Sequence, residues 1–152
     1  RRAAAAYLRA LPLVDLAGRG AMTPLHAALY ARHYKTALTL LEYKADVNAR
    51  CASLKGYTPL MVALSTDKAD NGAVVAALLD ARPQLEATNA SAATAMHVAA
   101  TWGNLAACKA LVAAGASMTP KNYKGATPAM AAARKGHDAV VRWLCKHTGE
   151  RI

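Results

Sequence analysis

This 152-residue sequence predicts an all-α solenoid of stacked helix-turn-helix pairs joined by hairpin-like turns. Three observations carry that reading. A four-residue phrase returns four times, as Thr23-Pro24-Leu25-His26, Thr58-Pro59-Leu60-Met61, Thr94-Ala95-Met96-His97 and Thr127-Pro128-Ala129-Met130. Its threonines stand 35, 36 and 33 residues apart, a period that marks an array of similar units and not a globule around one core. Each phrase is followed by a bulky pair, Leu40-Leu41, Leu78-Leu79, Leu111-Val112 or Val140-Val141, which can be buried only against a neighbouring unit.

Taken in order, the chain reads as a single domain over 1–152, with a partial unit at 1–17 and full units at 18–52, 53–88, 89–121 and 122–152. The partial unit offers Leu8, Leu11, Leu13 and Val14 as the apolar face of a second helix without a first helix before it. Upstream repeats beyond Arg1 are favoured over an alanine-rich cap as the reason. In each full unit threonine can cap the first helix, and proline at its first position fixes φ where the missing amide had no partner. Five places on come Ala28, Ala63, Ala99 and Ala132, small enough to let adjacent first helices approach closely. The bulky pair of each second helix then contributes about 1.5 to 3 kcal/mol per buried side chain. The last helix carries Asp138, Arg142 and Lys146 at helical spacing, a polar and mildly self-stabilising face that suits a water-facing terminal element.

The repeated phrase, with the small residues behind it, the Leu or Val pairs and the closing Gly115-Ala116, resembles the ankyrin repeat. That family's usual 33-residue period implies two extra residues in the first spacing, best placed as Cys51-Ala52 in the turn between units, and three in the second, near Asp67-Lys68-Ala69-Asp70-Asn71 between the two helices. Where the family has glycine after the second helix, Lys44 and Arg82 stand instead and only Gly115 fits. A left-handed non-glycine residue there would cost about 1 to 2 kcal/mol. The resemblance also implies structural roles for His26 and His97, and a turn asparagine, Asn48, at the position that asparaginyl hydroxylases modify in such repeats.

Composition agrees with an alanine and leucine solenoid: 55% hydrophobic, 5% aromatic, no phenylalanine. No run is long and apolar enough for a membrane span, so membrane insertion is not expected. Cys51, Cys108 and Cys145 are odd in number and lack a paired spacing, which suggests reduced thiols in an intracellular protein, with Cys108 and Cys145 expected in the core.

The net charge of +10 divides into +5 over residues 1–52, +1 over 53–121 and +4 over 122–152. A nucleic-acid stripe would run continuously with stacking aromatics between its charges, so the near-neutral middle argues against direct nucleic-acid binding. The search for chemistry returns no Cys-x-x-Cys, no His-Glu-x-x-His and no phosphate loop, and no catalytic, cofactor or metal residues are expected.

Recognition is what remains. The resemblance implies binding through turn tips and the concave face of the first helices. Aligned on the threonines, the partner-binding candidates are Met22, Tyr30, Leu54, Lys55, Tyr57, Thr101, Trp102, Tyr123, Lys124, Arg134 and Lys135. Tyr30, Tyr57, Trp102 and Tyr123 are the expected apolar anchors, because such side chains often dominate binding energy; Lys55, Lys124, Arg134 and Lys135 supply charge. The expected function is a noncatalytic adaptor or scaffold whose partner is another protein, an acidic segment among the candidates. A regulatory or spacer array within a larger enzyme and a basic nucleic-acid-associated module are the alternatives.

Overall fold

The computed structural model describes residues 22–66 and 71–152. The readings that fall on 1–17 and on 67–70 lie outside these residues. The fold is an all-α helical repeat: the described residues form eight α-helices and one short 3-10 helix, and their only β-pairing is an isolated bridge between Cys51 and Tyr57. The chain divides into two compact units, Arg1–Pro83 and Gln84–Ile152.

In the first unit, α1 (Pro24–Tyr30) and α2 (Tyr34–Glu42) make one pair, and α3 (Pro59–Ser65) and α4 (Gly72–Asp80) the next. First helix packs on first helix and second on second, α1 against α3 and α2 against α4. The second unit repeats the plan with α5 (Ala95–Thr101), α6 (Leu105–Ala113), α7 (Pro128–Arg134) and α8 (Asp138–Thr148), where α5 packs on α7 and α6 on α8. Each first helix is seven residues long, too short to persist alone. It starts as the sequence expects: Thr23, Thr58 and Thr127 accept the backbone N–H of His26, Met61 and Met130, while Thr94 and His97 form a reciprocal capping box.

Ala28, Ala63, Ala99 and Ala132 are all buried, at 1% exposure or less, so the small residues sit where the first helices meet their neighbours. The bulky pairs split evenly. Leu40, Leu78, Leu111 and Val140 are fully buried, and the second member of each pair is half-buried, because consecutive helical residues point about 100° apart.

Six helix ends share one solution. A left-handed residue, Arg32, Lys44, Arg82, Gly103, Gly115 or Gly136, turns the chain and donates its N–H three residues back. At five of them the next amide bonds five residues back, from His33, Ala45, Asn104, Ala116 and His137 to Ala28, Leu40, Ala99, Leu111 and Ala132, which completes a Schellman motif. Pro83 has no amide to give, so the end of α4 keeps only the shorter bond. Lys44 and Arg82 therefore hold the glycine-type conformation despite their Cβ atoms, at φ 61 and 52.

The end of α3 is different. Six residues separate it from α4, against three between first and second helices elsewhere among the described residues, an excess of three as the spacing implies. Here the Ala63 carbonyl accepts from the Thr66 hydroxyl at 2.9 Å and the Asn71 amide at 2.8 Å, side chains standing in for the missing Schellman amide.

Two readings need correction. Cys51 is not a surplus turn residue: it is fully buried and its N–H bonds the Tyr57 carbonyl. Asn89 and Asn122 bond Ala93 and Ala126 in the same way, so Cys51 is their counterpart and the two extra residues lie after it, in the tip that holds the 3-10 helix Ala52–Leu54. Consequently the core thiols are Cys51 and Cys108, whereas Cys145 is only half-buried.

Candidate functional site

The repeat phrase itself builds the joint between successive pairs. His26 Nε2 lies 2.9 Å from the Tyr57 carbonyl, which can only accept, so this nitrogen carries the proton. Nδ1 must then accept, and the Thr23 hydroxyl donates to it at 2.7 Å. In the second unit His97 Nε2 donates to the Ala126 carbonyl at 2.9 Å, and Nδ1 accepts the Thr94 N–H at 3.2 Å. Burial lowers the pKa of both imidazoles from the ordinary 6.5; the carbonyl acceptors, and more weakly Asp46 for His26 and Glu86 for His97, oppose that shift. Each ring is thus a neutral strut under the base of the next turn tip.

The struts reach the tips that close at Tyr57 and Ala126. In the second unit Asn89 Oδ1 accepts the Ser91 and Ala93 amides, and Asn122 Oδ1 accepts those of Lys124 and Ala126. Tyr123 N–H then bonds the Ser91 carbonyl at 3.1 Å, tying one tip to the next. In the first unit the longer tip is closed by backbone bonds from Leu54 and Gly56 to the Cys51 carbonyl. Lys55 takes the left-handed position there at φ 54.

A second edge forms where α5 ends. His137 Nε2 donates to the Thr101 carbonyl at 2.9 Å, and its ring covers Gly103 so closely that a Cβ at this position would fall on the imidazole. Thr101 is held further by its hydroxyl, which donates to the His97 carbonyl at 2.7 Å. Trp102 projects between these fixed points, 51% exposed.

The sequence candidates fall into two groups. Tyr30, Lys55, Trp102, Tyr123, Lys124, Arg134 and Lys135 are exposed, with Tyr30 at 63% and Tyr123 at 82%. Met22, Leu54, Tyr57 and Thr101 are half-buried, and Tyr57 and Thr101 take part in the struts just described. The second unit brings Thr101, Trp102, Tyr123, Lys124, Arg134 and Lys135 onto the tips and ends of the contacting helices α5 and α7; the remaining five belong to the first unit.

Sequence reasoning missed two residues. Met130 occupies the His26 and His97 position of the last phrase and is 38% exposed, an apolar side chain beside the basic end of α7; its alignment with Met61 and the two histidines was the available signal. His137 positions the Trp102 edge. Its alignment with His33 and Asn104, each directly after the left-handed residue of its turn, marked the position without showing the contact.

Among the described residues no three His, Cys, Asp or Glu side chains converge as metal ligands, and no helix is long and apolar enough to cross a membrane. A family model described as Ankyrin repeats (3 copies) matches residues 47–122 and 67–152, and one described as Ankyrin repeat matches 22–52. No curated protein matches the chain.

Proposed function

The chain belongs to the ankyrin-repeat family, and from that premise we propose that it is a noncatalytic adaptor or scaffold that captures another protein through its turn tips and the exposed ends of its first helices. Ankyrin repeats are in general protein–protein interaction modules. The observation that carries the reading is the pair Trp102 and Tyr123: large aromatics left largely in water although their backbones are pinned on both sides. Rigid, exposed aromatics give contact area at small ordering cost. An intracellular setting is part of the proposal, supported by the reduced state of Cys51, Cys108 and Cys145, and the surplus of cations favours an acidic segment as partner.

The test is chemical crosslinking in native extract with wild type and the Trp102→Ala, Tyr123→Ala double variant, with melting curves alongside. Loss of crosslinked partner with nearly unchanged melting supports the reading, because anchors cost about 2 kcal/mol or more in binding while surface changes stay within about 0.5 kcal/mol in folding. Equal capture by both proteins places the interface elsewhere. A large fall in melting temperature makes the two aromatics packing residues.

A further inference from the structure

Counted along the chain the middle looks nearly neutral, but all of its carboxylates precede residue 87. Residues 87–137 contain no Asp or Glu in a stretch of 51, and five cations: Lys109, Lys121, Lys124, Arg134 and Lys135. This stretch holds both tips of the second unit, α5, α6 and α7. The unit's three carboxylates lie outside it. Glu86 sits in the connection after α4, where it accepts the Ser117 amide at 2.7 Å. Asp138 opens α8, and Glu150 follows that helix. Lys121 and Lys124 are exposed at the tip that also carries Tyr123, and Arg134 and Lys135 at the end of α7, the helix that carries Met130 and packs on α5, after which Trp102 stands.

Resting on the partner reading above, we infer that this face of the second unit takes a short acidic peptide segment in which carboxylates flank at least one bulky apolar residue. Charge complementarity gives the sign: Lys121, Lys124, Arg134 and Lys135 outnumber Glu86 and Asp138, and such a surplus attracts anionic chains and repels basic ones. The exposed aromatics and Met130 give the apolar requirement. A polynucleotide fits less well, since five cations in 51 residues are too sparse to follow a backbone with a charge at every nucleotide.

The probe is a random peptide library displayed on phage, selected against the whole chain. Selected sequences are expected to be enriched in Asp and Glu around Leu, Phe, Tyr or Trp. Synthetic versions should lose about tenfold or more in affinity to the Lys124→Glu, Arg134→Glu, Lys135→Glu variant, and lose affinity again on raising salt. Melting curves establish that this variant is folded; if it is not, Lys124→Gln with Lys135→Gln gives the same reading at smaller amplitude. Selected peptides without acidic enrichment, affinity indifferent to both charge changes, or failure to select any peptide overturns the inference. Displacement of the peptide by oligothymidylate that binds more tightly overturns it in favour of nucleic acid. The Trp102→Ala, Tyr123→Ala variant separates the two readings: non-acidic peptides lost on it leave the proposed surface standing and remove only its acidic partner, whereas peptides retained by it count against both.

Discussion

Gly103 is the residue whose replacement has the clearest outcome. It combines φ 64 with an imidazole lying where a Cβ would go, so Gly103→Ala meets both a left-handed backbone and an overpacked contact. These cost about 1 to 2 and about 1 to 3 kcal/mol respectively, and urea denaturation should show a loss of at least about 2 kcal/mol; a loss under about 0.5 kcal/mol would contradict the geometry. His26 and His97 carry a pH dependence with a definite sign. Both are held below the ordinary 6.5, so unfolding takes up protons. Their contribution is complete above 6.5, falls as the pH drops below it, and levels off under the folded-state value. His97 should weigh more heavily. Its Nδ1 faces an amide N–H that cannot turn away from an added proton, whereas the Nδ1 of His26 faces a hydroxyl that can. Denaturation curves across this range should flatten more for His97→Gln than for His26→Gln, and equal flattening would show that the Thr94 amide is unimportant.

At the scale of helices and turns, the phrase that begins each first helix was legible in the sequence because its signals are local: a capping hydroxyl, a preset φ, a small residue five places on. Helix ends were less so. Lys44 and Arg82 obscured turns whose conformation is fixed by the backbone bonds of the motif and not by the residue in it. Cys51 was misplaced because length alone says how many residues are extra, while the amide that reaches Tyr57 says which ones. The joint at the helix ends yields a direct expectation. Lys44→Gly and Arg82→Gly should each stabilise the fold by about 0.5 to 1 kcal/mol, the left-handed strain relieved less the extra freedom glycine brings to the unfolded chain. Unchanged or lowered stability in urea would mean that the lysine and arginine stems contribute packing that offsets the strain.

For the whole molecule, the repeat and its all-α class could be read from spacing, since periodicity survives substitution at single positions. The proposed partner face could be read only in part. The exposed aromatics followed from alignment and the stretch 87–137 without carboxylates from counting, but which side chains are left exposed needed the fold. Burial is also uneven along the chain: every residue from Pro59 to Leu64 and from Ala95 to Ala100 is buried. Amide exchange should therefore be slowest in α3 and α5 and fastest in the tips, and slower exchange in α8 would contradict that order. The buried Cys51 at the root of the longest tip makes this order readable by another clock. A thiol enclosed in a turn meets an alkylating reagent only in the moments when the turn is open, so the rate of its labelling counts those openings, while the half-buried Cys145 reacts at the pace of the reagent itself. Mass spectra taken through such a reaction would show one adduct arriving early and the others on the schedule of the fold, and a ligand that grips the first tip would slow Cys51 while leaving the timing of Cys108 unchanged.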